Sequence, residues 1–116
     1  MAFGVENKIY GMAIPAEVKK DIAFTANTLL QKFGENIGKI ILFGSYATGK
    51  YQPDSDIDIA VSLKILPEIK QRRQYTEAVD IDRELDLLFC SGEQLLSNEY
   101  VYGRINEQGV VLYEQL

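Results

Sequence analysis

Apolar residues recur along this chain at two spacings, and the switch between them outlines the elements. Val18, Ile22, Ala26, Leu29 and Phe33 stand three or four residues apart, the period that keeps side chains on one face of a helix. That helix is predicted to open at Ile14-Pro15 and to stop at Gly34. Lys39 to Phe43, KIILF, is a short β-branched run between Gly38 and Gly44 and reads as a buried strand. Asp56 to Leu63 is read as the second strand and Glu84 to Cys90 as the third. Between them Pro67 starts a charged segment, PEIKQRRQYTEAV, read as a helix with a thin apolar face. Beyond the Ser91-Gly92 break a helical stretch covers much of Gln94 to Glu107, and Gly109 precedes a last short strand, VVLY. The alternation predicts an α/β (α+β) fold: a small mixed β-sheet flanked by helices, in a single domain over residues 1–116.

Composition narrows the chemistry. With 47% hydrophobic and 25% charged residues the chain has the make-up of a globular domain. Its longest apolar runs span a few residues, and no basic segment followed by an apolar one stands at its start, so no membrane span or leader is predicted and the expected setting is the cytoplasm. The net charge of −5 argues against nucleic-acid binding by the chain itself, which would draw on many Lys and Arg contacts to phosphate. The absence of histidine removes the commonest general base and the Ser/His and Cys/His nucleophile pairs. The single cysteine, Cys90, has no internal disulfide partner and reads as a small buried hydrophobe. Chemistry, if present, falls to carboxylates and an oxygen-bound metal.

The stretch GSYATGKYQPDSDIDIAV, residues 44 to 61, supplies such carboxylates. In a strand, Asp56, Asp58 and Ala60 share one face while Ile57, Ile59 and Val61 share the other. The two aspartates stand about 7 Å apart, close enough to converge on a cation and to repel each other without one. Hard oxygen ligands suit Mg2+ or Mn2+, and Mg2+ completes its shell with water and substrate phosphates. Upstream, Gly44-Ser45 permits close backbone approach, so amide groups and the Ser45 hydroxyl can point at phosphate oxygens, and a short helix over Tyr46 to Thr48 adds its N-terminal dipole. Asp54 and Ser55 read as turn residues, with Ser55 able to bond the backbone near Asp56. Asp86 is the polar exception in the third strand. If that strand neighbours the second, Asp86 completes a three-carboxylate cluster of the kind that serves two-metal phosphoryl chemistry.

Gly44-Ser45, ten intervening residues and Asp56-Ile57-Asp58 together resemble the GSx10DxD signature of the minimal nucleotidyltransferases (MNT), small members of the DNA polymerase β-like nucleotidyltransferase superfamily. The resemblance covers most of the chain, from the strand KIILF through Asp86 to INEQGVVLYE, which is similar to the family's closing helix and strand. It implies Mg2+-dependent transfer of a nucleoside monophosphate, AMP from ATP, to an acceptor hydroxyl, with Mn2+ as an alternative ion. In its terms Asp56 and Asp58 hold the metals, Asp86 serves the second metal and the acceptor hydroxyl, and Gly44 and Ser45 hold the β,γ-phosphates. Such domains in many cases are antitoxins paired with a HEPN-domain ribonuclease toxin, and some adenylylate a tyrosine of that partner.

The loop departs from the family pattern at one place. Relatives often carry arginines just after Gly-Ser, whereas Tyr46 and Thr48 stand here and Lys50 is the nearest cation. The alternative reading is therefore a catalytically weak or inactive module that neutralises its partner by forming a complex. Lys70, Arg72 and Arg73 are read as a solvated helix face, and Tyr100, Tyr102 and Tyr113 as core or as a partner or homo-oligomer surface.

Overall fold

The computed structural model describes residues 5–115. Its elements run α1 (Val5–Tyr10), α2 (Ala16–Phe33), β1 (Ile37–Phe43), α3 (Ser45–Thr48), β2 (Ile57–Leu63), α4 (Ile69–Glu77), β3 (Leu85–Ser91), α5 (Gly92–Leu96), α6 (Val101–Gln108) and β4 (Val110–Glu114), with a 3-10 turn at Gly34–Asn36. The four strands form one mixed sheet in the order β3-β2-β1-β4. β1 is antiparallel to β2 and β4, while β2 and β3 run parallel, a pairing that needs a crossover and finds it in α4 and its flanking loops.

The helical spacing read from the sequence is the buried stripe of α2: Val18, Ile22, Ala26 and Leu29 are each at most 1% exposed. Pro15 precedes the helix as its N-cap, and its carbonyl accepts from the amides of Val18 and Lys19 at 3.1 Å. That stripe packs on one face of the sheet, against Ile40 and Leu42 of β1 and Ile57, Ile59, Val61 and Leu63 of β2. Each such aliphatic side chain stabilises the fold by roughly 1.5–3 kcal/mol when fully buried. The opposite face is covered by less. There Ile41, Ala60 and Cys90 meet Leu95 of α5 and Ile105 of α6. Because those two helices are short, the end of that face where β2 and β3 begin carries polar side chains.

Three expectations need correction. β1 begins at Ile37, so Gly38 lies inside the strand. The register between β1 and β2 shifts there, and an added Cβ at Gly38 would press on Ser62 Oγ at 3.2 Å, so the glycine marks a bulge and close approach instead of a boundary. The stretch after β3 is two helices, parted by Asn98 and Tyr100 at φ of 57° and 53°. Ser97 favours the break: its hydroxyl donates to the Gln94 carbonyl at 2.6 Å and accepts from the Glu99 amide at 3.2 Å, offering the backbone an alternative to the next helical turn. Finally, Ser91 is a cap as well as a strand end. Its hydroxyl accepts from the Gln94 amide at 3.1 Å, and Gln94 Oε1 accepts from the Ser91 amide at 2.9 Å. The apolar spacings do not mark α1, whose Ile9 is fully buried. Among the described residues no helix is long and apolar enough to cross a membrane.

Candidate active site

Antiparallel pairing brings the two halves of the motif together. Phe43, the last residue of β1, stands opposite Asp58 in β2, so the Gly-Ser turn that follows Phe43 lies beside the Asp58 carboxylate. Gly44 has φ 75° and ψ −156°, a conformation that L side chains rarely adopt, and a Cβ there would collide with Asp58 Oδ2. Glycine is thus required twice, by the turn and by the carboxylate. Ser45 opens α3; the Gly44 carbonyl accepts from the Ala47 and Thr48 amides at 3.1 and 3.2 Å, and Gly49, at φ 83°, ends the turn. The first amides of such a turn, here Ser45 and Tyr46, have no carbonyl one turn back to engage. Tyr46 is buried at 2% exposure and stacks on Tyr51, ring centroids 4.9 Å apart.

The return into β2 is a tight turn. Ser55 Oγ accepts from the Gln52 amide at 2.7 Å and the Ser55 amide donates to the Gln52 carbonyl at 3.1 Å, so Ser55 bonds backwards into the turn instead of forwards to Asp56. Asp56 lies just ahead of the first residue of β2.

β3 does neighbour β2, and in register: Asp86 stands opposite Asp58. The amide of Ile57 donates to the Glu84 carbonyl at 2.9 Å, extending the pairing toward Asp56. Glu84, two residues before Asp86, lies within hydrogen-bonding reach of Asp56, and that bond, followed by the Asp56 charge, raises the Glu84 carboxyl above the ordinary range. Four carboxyl groups therefore form a two-by-two ladder on one face of the sheet, Asp56 beside Glu84 and Asp58 beside Asp86. Glu84 was missed as a site residue, though ELD carries the same i, i+2 carboxyl spacing as DID. Burial first, then the charges of Asp86 and Asp56, push the half-buried Asp58 carboxyl up to about 6.

Among the described residues no three carboxylates, cysteines or histidines converge into a ready-made metal cage. The donor chemistry nonetheless fits a hard divalent cation. The ladder is all oxygen, it is strained by like charge at Asp58, and it opens toward a loop whose free amides and hydroxyl suit phosphate oxygens that would complete the coordination. Of the other candidates, Lys70 and Arg73 are exposed, and Arg72 Nε donates to the Pro67 carbonyl at 2.9 Å within its own helix start, in keeping with a solvated face. Cys90 is fully buried, and burial pushes its thiol up to about 11, which leaves it unreactive near neutrality.

Known proteins are similar to this chain in sequence and in fold. A relative from Methanocaldococcus jannaschii, provisionally named a protein adenylyltransferase, is 38% identical over 58 residues, 50% of this chain and 52% of that one. The match thus spans about half of that relative's length. The crystal structure of a toxin-antitoxin with AMP-PNP superposes with a TM-score of 0.60 at 26% identity, over 78% of this chain and 72% of that one. A nucleotidyltransferase so described from Sulfolobus solfataricus superposes with a TM-score of 0.63 at 19% identity, over 99% of this chain and 91% of that one, and shows the same fold. The family described as Polymerase beta, Nucleotidyltransferase matches residues 25–115, a span that takes in the whole sheet, the Gly-Ser turn and the carboxylate ladder. By that match the chain belongs to the polymerase beta nucleotidyltransferase family.

Proposed function

We propose that this protein transfers AMP from ATP, in a Mg2+-dependent reaction, to a hydroxyl on a partner protein, the partner being a HEPN-type toxin to which it is the antitoxin. The observation that carries the reading is the register of β2 and β3, which sets Asp58 beside Asp86 directly below the Gly-Ser turn. The nucleotide and a toxin partner are supported by the toxin-antitoxin neighbour with AMP-PNP, the HEPN type of that partner by the family resemblance of the GSx10DxD motif, and transfer to protein by the name of the archaeal relative.

Asp56 and Asp58 would hold the divalent ions, with Asp86 on the second; when bound, the ions neutralise the triphosphate and make the acceptor hydroxyl more acidic. Ser45, through its hydroxyl, and the Ser45 and Tyr46 amides hold the β,γ-phosphates and so orient the α-phosphorus. The acceptor oxygen forms a bond to that phosphorus as the bond to the β-phosphate oxygen breaks. Pyrophosphate leaves, and the hydroxyl proton passes to Asp86 and on to solvent. Asp86 suits this role because it is exposed at the rim of the ladder, where an acceptor can reach it. Calorimetric titration with AMP-PNP tests the binding half: we expect uptake that requires Mg2+ and is lost in Asp58→Asn, and Mg2+-independent uptake would contradict it.

One observation favours a second reading. Between Ser45 and Gly49 the loop offers Tyr46, Ala47 and Thr48 and no cation to the triphosphate. In that reading the protein masks its partner without modifying it, and it is distinguished by complex formation that survives Asp58→Asn with no nucleotide uptake in the wild type.

A further inference from the structure

We propose that Arg83 is a positioning residue that clamps the Gly-Ser turn and its return loop onto the carboxylate ladder; the inference rests on the reading of that ladder as a nucleotidyl-transfer site. Arg83 lies on the segment just before β3, next to Glu84, and its side chain is 20% exposed. Its Nη1 donates to the Tyr46 hydroxyl and to the Pro53 carbonyl, both at 3.2 Å. Its buried Nε has no hydrogen-bond partner but faces Asp21 Oδ2 of α2 at 3.7 Å, an ion pair too long to be a hydrogen bond. One guanidinium thus joins α2, the short helix α3, the return loop and the lead into β3. These segments set where Gly44 and Ser45 stand relative to Asp56, Asp58 and Asp86.

The chemistry of the pair suits a clamp. The Tyr46 ring is held between the core and Tyr51, so its hydroxyl is a fixed acceptor. A planar guanidinium holds Nη1 and Nε in a rigid fork, so one nitrogen engages the phenol and the carbonyl while the other faces Asp21, a spread that the single nitrogen of a lysine matches poorly. With Nη1 bonded to the Tyr46 hydroxyl and the Pro53 carbonyl and Nε facing Asp21, Arg83 acts through Tyr46, the return loop and α2. Its importance is raised by the absence of cations between Ser45 and Gly49. A loop that binds phosphate through amides and one hydroxyl depends on those donors being held to a fraction of an ångström.

The test compares the wild type with Arg83→Met, Tyr46→Phe and the double variant, by amide hydrogen exchange on the nucleotide-free protein and by titration with AMP-PNP and Mg2+. Arg83→Met is expected to speed exchange within residues 44–55 about tenfold, to leave the interior of α2 protected, and to weaken AMP-PNP binding about tenfold. Tyr46→Phe, which removes one oxygen and keeps the stacked ring, is expected to do the same more weakly, and it keeps the test decisive if Arg83→Met does not fold. The double variant is expected to be no worse than Arg83→Met, because the two residues share one interaction. The clamp is overturned by unchanged loop exchange, by exchange that speeds uniformly over the whole chain, by additive effects, or by unchanged AMP-PNP affinity in variants of a wild type that binds it. If the wild type binds no AMP-PNP, the nucleotidyl-transfer reading falls, and loop exchange alone decides the clamp.

Discussion

Gly44 and Asp58 depend on each other at the scale of single atoms. The turn at Gly44 needs φ 75°, and the space where a side chain would stand is filled by the Asp58 carboxylate. Gly44→Ala is therefore expected to cost about 1–3 kcal/mol of stability, measured by urea denaturation, and to lower nucleotide affinity more than tenfold as the carboxylate is displaced. Asp58 carries a second consequence. Its carboxyl is pushed up to about 6 in the fold from the 3.8 of an ordinary aspartate, so between those values the folded state holds a proton that the unfolded chain has already released. Stability from this group is fully present below the lower value and is lost as pH rises through the higher one. In metal-free buffer, Asp58→Asn removes that loss and is expected to raise the Tm by about 2–4 °C at neutral pH with little change at pH ~4, an effect reduced by solvent screening at this half-buried group. Asp56 and Asp58 were legible in the sequence because a charged pair at i, i+2 stands out against an apolar strand. Glu84 and Arg83 were not. Glu84 matters only through the register that sets it beside Asp56, and the hydrogen-bond partners of Arg83, Tyr46 and Pro53, lie 37 and 30 residues away.

Among the elements, those with a strong period were readable and those shaped by local hydrogen bonding were not. The apolar stripe of α2 and the alternation in β2 follow from burial against one sheet face, and both stand where the pattern put them. α4 has a thin apolar face, and it docks chiefly through Tyr75, which stacks on Phe33 with centroids 4.0 Å apart and meets the edge of Phe89 at 5.2 Å. The break between α5 and α6 eluded the periodicity because it depends on Ser97 and on two residues at positive φ. Tyr100 takes φ 53° and ψ −131° while 92% exposed, so little packing offsets its backbone strain. Tyr100→Gly is expected to raise stability by about 0.5–1 kcal/mol, strain relief outweighing the added freedom of the unfolded chain, as read from the denaturation midpoint. A loss of similar size would mean that the Tyr100 side chain stabilises the connection.

For the whole molecule, the informative fact is the strand order β3-β2-β1-β4. It places β2 at the centre, with the Gly-Ser turn arriving from one neighbour and Asp86 from the other. The sequence could state this only as a condition, that the third strand neighbour the second, because pairing across a crossover is a long-range choice without a local signal. Once the condition is met, a chain without histidine has on one sheet face a row of carboxyl groups beside the Gly-Ser turn, from which the proposed reaction draws its metal ligands and proton acceptor. The measurement that tests this most directly is the intact mass of the protein isolated with its natural partner after incubation with ATP and Mg2+, beside an Asp56→Asn/Asp58→Asn double variant. The account predicts one or more AMP units added to the partner by the wild type and none by the variant. A partner that stays unmodified in the intact complex with each of the four nucleoside triphosphates, or that gains AMP equally from the variant, would contradict it.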